Sequence, residues 1–216
     1  MAEELLIDTD VLMKLVGYRM ADHAVGIAEA ADMVPSMLGA ARFMLANHVA
    51  RSRRIADRPA AAAHLGAILP QLTELEPTQE ETALAAEIEA AAVAADLAVD
   101  GGESQLAAMM AMRGGSLLLT GDKRAVAALG ALGRDLPPNR VACFEQMLRS
   151  LVDVLGPGCV RAAVCCEPAL DKAVTLACSC ASTAEVDPRD GLASYVENLR
   201  SLAPTLLKQG PGIVGS

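Results

Sequence analysis

Two kinds of hydrophobic run alternate along the chain. Short apolar runs at Leu5-Leu6-Ile7 and at residues 72–75, 116–119 and 141–144 are bounded by acids or turn residues and are too short for helices. They predict strands buried on both faces. Between them lie segments of helical spacing. Residues 11–16 stop at Gly17, and residues 19–31 carry Met20, Ala24, Ile27 and Ala28 on one stripe. Residues 60–69 end at Pro70, and residues 83–97, 125–132 and 145–155 follow. Thr78 and Glu81 form a capping-box pattern just after Pro77. Met33-Val34-Pro35 reads as a brief extended piece, with Pro35 opening a helix through Met37, Leu38, Ala41, Met44 and Leu45.

Strand and helix in alternation predict an α/β fold. We expect a helix-rich, three-layer α/β/α domain with a short-stranded, mostly parallel central sheet over residues 1–155. Gly156-Pro157-Gly158 marks a boundary. Beyond it, helical patterns at residues 168–181 and 188–207 form a helical C-terminal extension, residues 156–216, too short to bury a core alone and so packed on the same domain. Asp187 is placed to cap the second of these, with Pro188 in its first turn, and residues 210–216 are expected to fray.

Composition narrows this picture. The chain has 216 residues, is 53% hydrophobic and holds two Phe, two Tyr and no Trp, so its core is built from small and aliphatic side chains. A net charge of −9 argues against a protein that coats nucleic acid, whose affinity would come from Lys and Arg. No secretory signal opens the chain, and no apolar run reaches the roughly 20 residues that span a bilayer. We therefore expect a cytoplasmic protein without a membrane partner. Cys165-Cys166 and Cys178-Ser179-Cys180 lack the spacing of zinc ligands and lie among Val, Ala and Leu, which favours packing as small hydrophobes. His23, His48 and His64 show no paired spacing.

The candidate chemistry is carboxylate chemistry. The first strand ends in Asp8-Thr9-Asp10, and the strand at residues 116–119 ends in Thr120-Gly121-Asp122. Asp100 and Glu103 stand at the start of the helix between them. In open α/β sheets ligands bind outside the carboxyl ends of the strands. If the two strands run parallel side by side, Asp8, Asp10, Asp100, Glu103 and Asp122 converge, and carboxylates so crowded raise one another's pKa unless a cation sits among them. Hard oxygen donors suit Mg²⁺ or Mn²⁺. Arg51, Arg53, Arg54 and Arg58 form the one dense basic cluster, either a solvated helix end or a phosphate-contacting edge. Each acid also has a plainer role open to it: Asp122 would cap the following helix.

These residues resemble the PIN-domain family of metal-dependent nucleases, which includes the toxin halves of many bacterial toxin–antitoxin pairs. The similarity covers about the first 150 residues and rests on Leu6-Ile7-Asp8-Thr9-Asp10-Val11-Leu12, on Gly102-Glu103 and on Leu118-Leu119-Thr120-Gly121-Asp122-Lys123-Arg124. The resemblance implies Asp8, Glu103 and Asp122 as metal-ligating carboxylates and Asp100 as a further ligand or a water-bridged partner. Asp10 stands where many relatives carry Asn or Ser, and Thr120 would orient a water or ligand. The implied reaction is phosphodiester hydrolysis assisted by Mg²⁺ or Mn²⁺, on RNA sooner than DNA, with Arg51, Arg53, Arg54 and Lys123 toward the nucleic acid. An antitoxin-type protein partner and a homodimer are further implications. One position departs: Ala40 stands where many relatives carry a glutamate. That departure leaves open a PIN-like partner-binding protein with an eroded site. Asp8-Thr9-Asp10 also resembles the nucleophile motif of haloacid-dehalogenase-like phosphatases, with Asp8 attacking phosphorus, though the later acidic pair of that family is missing.

Overall fold

The computed structural model describes residues 3–133, 136–184 and 186–214. The chain runs β1 (Glu3–Ile7), α1 (Thr9–Gly17), α2 (Ala21–Ala30), β2 (Met33–Leu38), α3 (Gly39–Arg51), α4 (Arg58–Ile68) and β3 (Thr73–Leu75), with a short 3-10 turn at Leu69–Gln71 before β3. It continues through α5 (Gln79–Ala94), α6 (Gly101–Met112), β4 (Leu117–Thr120), α7 (Lys123–Ala131), β5 (Val141–Cys143) and α8 (Phe144–Leu155). Then come α9 (Pro157–Cys166), α10 (Lys172–Ala177) and α11 (Arg189–Leu202).

The five strands form one parallel sheet in the order β3-β2-β1-β4-β5, with helices on both faces. This is the three-layer α/β/α arrangement expected. The strands are continuously apolar because both faces are covered. Leu5 and Ile7 point into a core with Val11, Leu15, Phe144 and Leu148, whereas Leu6 points into the opposite one with Ala107, Met110 and Leu199. The chain moves outward from β1 through β2 to β3, then returns to place β4 on the other side of β1. The strand order therefore reverses between β1 and β4. In such sheets the crevice at that reversal, outside the carboxyl ends, is the place for a ligand.

Two local expectations change. Pro35 lies within β2 rather than at the head of a helix, and α3 begins only at Gly39. A proline fits there because β3 pairs with β2 only from Ser36 onward, so at Pro35 the strand has β1 as its sole neighbour and behaves as an edge. Helix α9 begins at Pro157, inside the stretch read as a boundary, since proline suits a first helical turn.

The C-terminal segment is not a separate layer. Val141 forms an isolated parallel bridge with Leu207, and Lys208 N–H donates to Val141 O at 2.6 Å, so residues 205–208 cover the open edge of β5. Gly210 O accepts from Gln146 and Arg200, and Ile213 is buried with its N–H on Ser150 Oγ. Residues 210–214 are thus docked rather than frayed; Gly215 and Ser216 lie outside the described residues. Cys165 and Cys180 form a disulfide, which corrects their reading as packed thiols: α9 and the turn after α10 bring them together across 15 residues. Cys143 and Cys178 are buried thiols, while Cys159 and Cys166 are exposed. Among the described residues, no helix is long and apolar enough to cross a membrane.

Candidate functional site

Asp8 is the first residue beyond β1. Its N–H donates to Leu119 O at 3.0 Å, which continues the β1–β4 ladder by one bond and sets Asp8 beside Thr120. Thr120 Oγ1 lies 3.4 Å from Asp8 Oδ2, and Asp122 N–H donates back to Thr120 Oγ1 at 3.2 Å. Asp122 then caps α7, its Oδ1 accepting from Arg124 N at 2.8 Å and Ala125 N at 3.3 Å. Across the reversal point, Asp100 caps α6 through Gly102 N and Glu103 N, both at 2.9 Å, and Glu103 Oε2 returns the bond to Asp100 N. The capping box thereby fixes two acids together at one helix start.

One open cleft of about 1450 Å³ collects these groups. Asp8, Asp10, Asp100, Glu103 and Asp122 line it, together with Arg51, Arg53 and Arg54 from the end of α3 and the loop after it. Asp8, Glu103 and Thr120 also share a small apolar cavity behind the cleft with Leu106, Leu118 and Leu129. All the acids expected from the sequence therefore face the same space, as do the three arginines.

The electrostatics divide the acids into two groups. Burial, followed by the neighbouring charges of Asp10 and Asp100, pushes the Asp8 carboxyl up to about 6. Burial, then the charges of Asp100, Asp122 and Asp8, pushes Glu103 up to about 7. Burial acts on Asp122 too, but hydrogen bonds from Arg124 and from the first turn of α7 outweigh it and hold that carboxyl below its usual range. Asp10 is ion-paired, its Oδ2 lying 2.6 Å from Lys14 Nζ. Lys123, expected toward nucleic acid, also lines the cleft, with its ammonium 2.5 Å from the buried Glu145 and 4.3 Å above the Tyr195 ring.

The donor chemistry fits a hard divalent cation: the acids offer oxygen ligands, and among the described residues neither Asp8 nor Glu103 accepts a hydrogen bond from a cationic side chain. The side chains do not yet close a coordination sphere. Among the described residues, no group of three or more His, Cys, Asp or Glu stands close enough to hold one ion. Capping bonds hold Asp100, Glu103 and Asp122 against their helix ends, and Lys14 engages Asp10. Ala40 is exposed in the first turn of α3 and contributes no donor.

Two site residues went unnoticed in the sequence. Lys14, on α1, is buried beneath the cleft, and Asp171, the cap of α10, joins it from the C-terminal segment at 2.7 Å. Lys14 carried a legible signal: with Val11, Leu15 and Tyr18 it completes an i, i+3, i+4, i+7 stripe whose other members are buried. Asp171 carried none, because only the tertiary fold brings it near. Comparison with family models, with curated proteins and with solved structures finds no match to this chain.

Proposed function

We propose that this protein is a metal-dependent nuclease that hydrolyses phosphodiester bonds, in RNA sooner than in DNA. The observation that carries the proposal is a single cleft, at the point where the strand order reverses, lined both by the five carboxylates expected from the sequence and by Arg51, Arg53 and Arg54. Among the described residues, Arg51, Arg53 and Arg54 make no ion pair, so their charges are available to a polyanion. Asp8, Glu103 and Asp122, with Asp100 beside them, are the residues that would hold Mg²⁺ or Mn²⁺. A bound ion of this kind polarises a phosphoryl oxygen and makes water a stronger acid. The chain's own part is to seat Asp8 beside Thr120, to hold Glu103 through the α6 cap, and to keep the leucine-lined rear of the site dry.

The test is hydrolysis of mixed single-stranded RNA and DNA with Mn²⁺. Wild type cleaves only with divalent metal, and Asp122→Asn is at least about tenfold slower. Equal rates would remove Asp122 from the site. A second reading, a PIN-like partner-binding protein with an eroded site, is favoured by Ala40 and by the carboxylates' failure to converge on one point. Calorimetry separates the two, since the eroded site takes up no Mn²⁺.

A further inference from the structure

Lys14 belongs to neither the metal-binding set nor the arginine face, yet it is the most enclosed cation at the cleft. Its side chain is almost entirely buried, with the ammonium 2.6 Å from Asp10 Oδ2 and 2.7 Å from Asp171 Oδ2. The Phe144 ring lies below it, with the centroid 5.4 Å from Nζ. The Thr120-Gly121-Asp122 turn passes directly over it: a Cβ on Gly121 would come within 2.9 Å of Nζ and 2.6 Å of Asp10 Oδ2. Glycine there lets the turn that carries Asp122 lie against the ammonium. An ammonium has three hydrogens to donate, and the two carboxylates accept two of them. Lys14 is also part of the cleft lining, and among the described residues these two carboxylates are its only acceptors.

A buried lysine whose only task was to tie the C-terminal segment to α1 would need one carboxylate and no access to the cleft. Lys14 has two carboxylates, one from each end of the chain, and faces the space that Asp8, Glu103 and Asp122 share. Two anchors fix a flexible four-carbon stem in one place, which lowers the entropy lost on contacting a ligand.

We propose that Lys14 is a catalytic residue that donates its third hydrogen to a phosphate oxygen of the bound substrate, and that Asp171 is the positioning residue that aims it. This rests on the phosphodiester reading of the cleft.

The experiment has two readouts. One is kcat and KM for cleavage with Mn²⁺. The other is the salt dependence of binding for a short single-stranded oligoribonucleotide in Ca²⁺, which needs no turnover. Lys14→Met lowers kcat by about 100-fold or more, the scale of losing one charge-stabilising donor. It also reduces the slope of log K against log salt by about 0.7, the share of one phosphate contact on a single strand. Asp171→Asn leaves that slope unchanged and lowers kcat by about tenfold with little change in KM, since the ammonium is present but less well aimed. If Lys14→Met does not fold, the double variant Lys14→Met with Asp171→Asn removes the ammonium and one carboxylate together, and its slope is compared with that of Asp171→Asn alone. An unchanged slope on loss of the ammonium overturns the proposal, as does an activity loss that merely follows the loss of thermal stability. A slope that falls by one contact in a protein that cleaves nothing with Mn²⁺ keeps Lys14 as a phosphate contact and defeats the nuclease reading alone.

Discussion

The two ends of the sheet are both rich in acids, and they treat those acids in opposite ways. At the amino end, Glu81, Glu4 and Glu3 each meet an arginine. Glu81, almost fully buried, accepts from Arg113 Nε at 2.6 Å and Nη2 at 3.0 Å, and Glu4 lies 3.4 Å from the same guanidinium. Glu3 pairs with Arg140 at 3.3 Å. The Arg113 bonds outweigh burial and hold the Glu81 carboxyl below its ordinary value. At the carboxyl end, Asp8 and Glu103 accept, among the described residues, only from a hydroxyl and from backbone N–H groups, and burial beside other acids pushes both up. Among the described residues, the three arginines that share their cleft form no ion pair with them. Compensated charge is how a fold carries acids for stability; carboxyls pushed up in a cleft mark a candidate binding site.

The largest break in this contrast comes from the amino end. Replacing Arg113 with methionine leaves Glu81 buried without its partner, and removing one member of a buried ion pair costs about 3 kcal/mol. Denaturant unfolding of Arg113→Met is the measurement. A loss below about 1 kcal/mol would mean that the capping-box bond to Thr78 N is enough to hold Glu81, and that the two ends differ less than their geometry implies.

A smaller effect of opposite sign belongs to the carboxyl end. A carboxyl whose folded pKa lies above its unfolded one binds more protons in the folded state, so stability falls as pH rises through that window. For Asp8 the window runs from 3.8 to about 6, and for Glu103 from 4.5 to about 7. Metal-free wild type therefore loses stability between about pH 4 and pH 7. Asp8→Asn escapes its share and is more stable than wild type at pH 8 by about 2 kcal/mol, allowing for solvent screening in an open cleft. At pH 4 the advantage disappears. Thermal unfolding at the two pH values reads both, and saturating Mn²⁺ at pH 8 stabilises wild type but not the variant. An Asp8→Asn protein less stable than wild type at pH 8 would show Asp8 to be a structural acid like Glu81.

Much of this contrast is written in the chain, for reasons that differ by residue. Strands β1, β4 and β5 are legible because burial on both faces makes them short, unbroken apolar runs, and the acid after each run marks its carboxyl end. The α5 and α6 caps are legible because a capping box is a contact between residues three apart. Pro35 misleads because its tolerance depends on where β3 begins to pair, some 40 residues away. The Cys165–Cys180 bridge joins α9 to the turn after α10, and the Asp171–Lys14 pair joins the cap of α10 to α1; neither has a local signature. Local contacts can be read from spacing. Contacts made by folding the extension back over α1 cannot.

The finest distinction concerns Asp122, which stands between the two kinds of acid. It faces the cleft, yet it caps α7 and pairs with Arg124, whose own side chain is 81% exposed. Exposure makes that ion pair worth little, so the cap is its main structural contribution, about 1 kcal/mol. Asp122→Ala loses the cap and should unfold about 1 kcal/mol more easily than wild type. Asn is as good a capping residue as Asp, so Asp122→Asn should match wild-type stability to within about 0.5 kcal/mol. Each variant lacks the carboxylate charge, and in the nuclease assay both should fall by a similar factor. If instead activity follows the cap, with Asn near wild type and Ala impaired, Asp122 positions the turn over Lys14 and takes no part in holding a cation. The comparison between the two ends of the sheet would then rest on Asp8 and Glu103 alone.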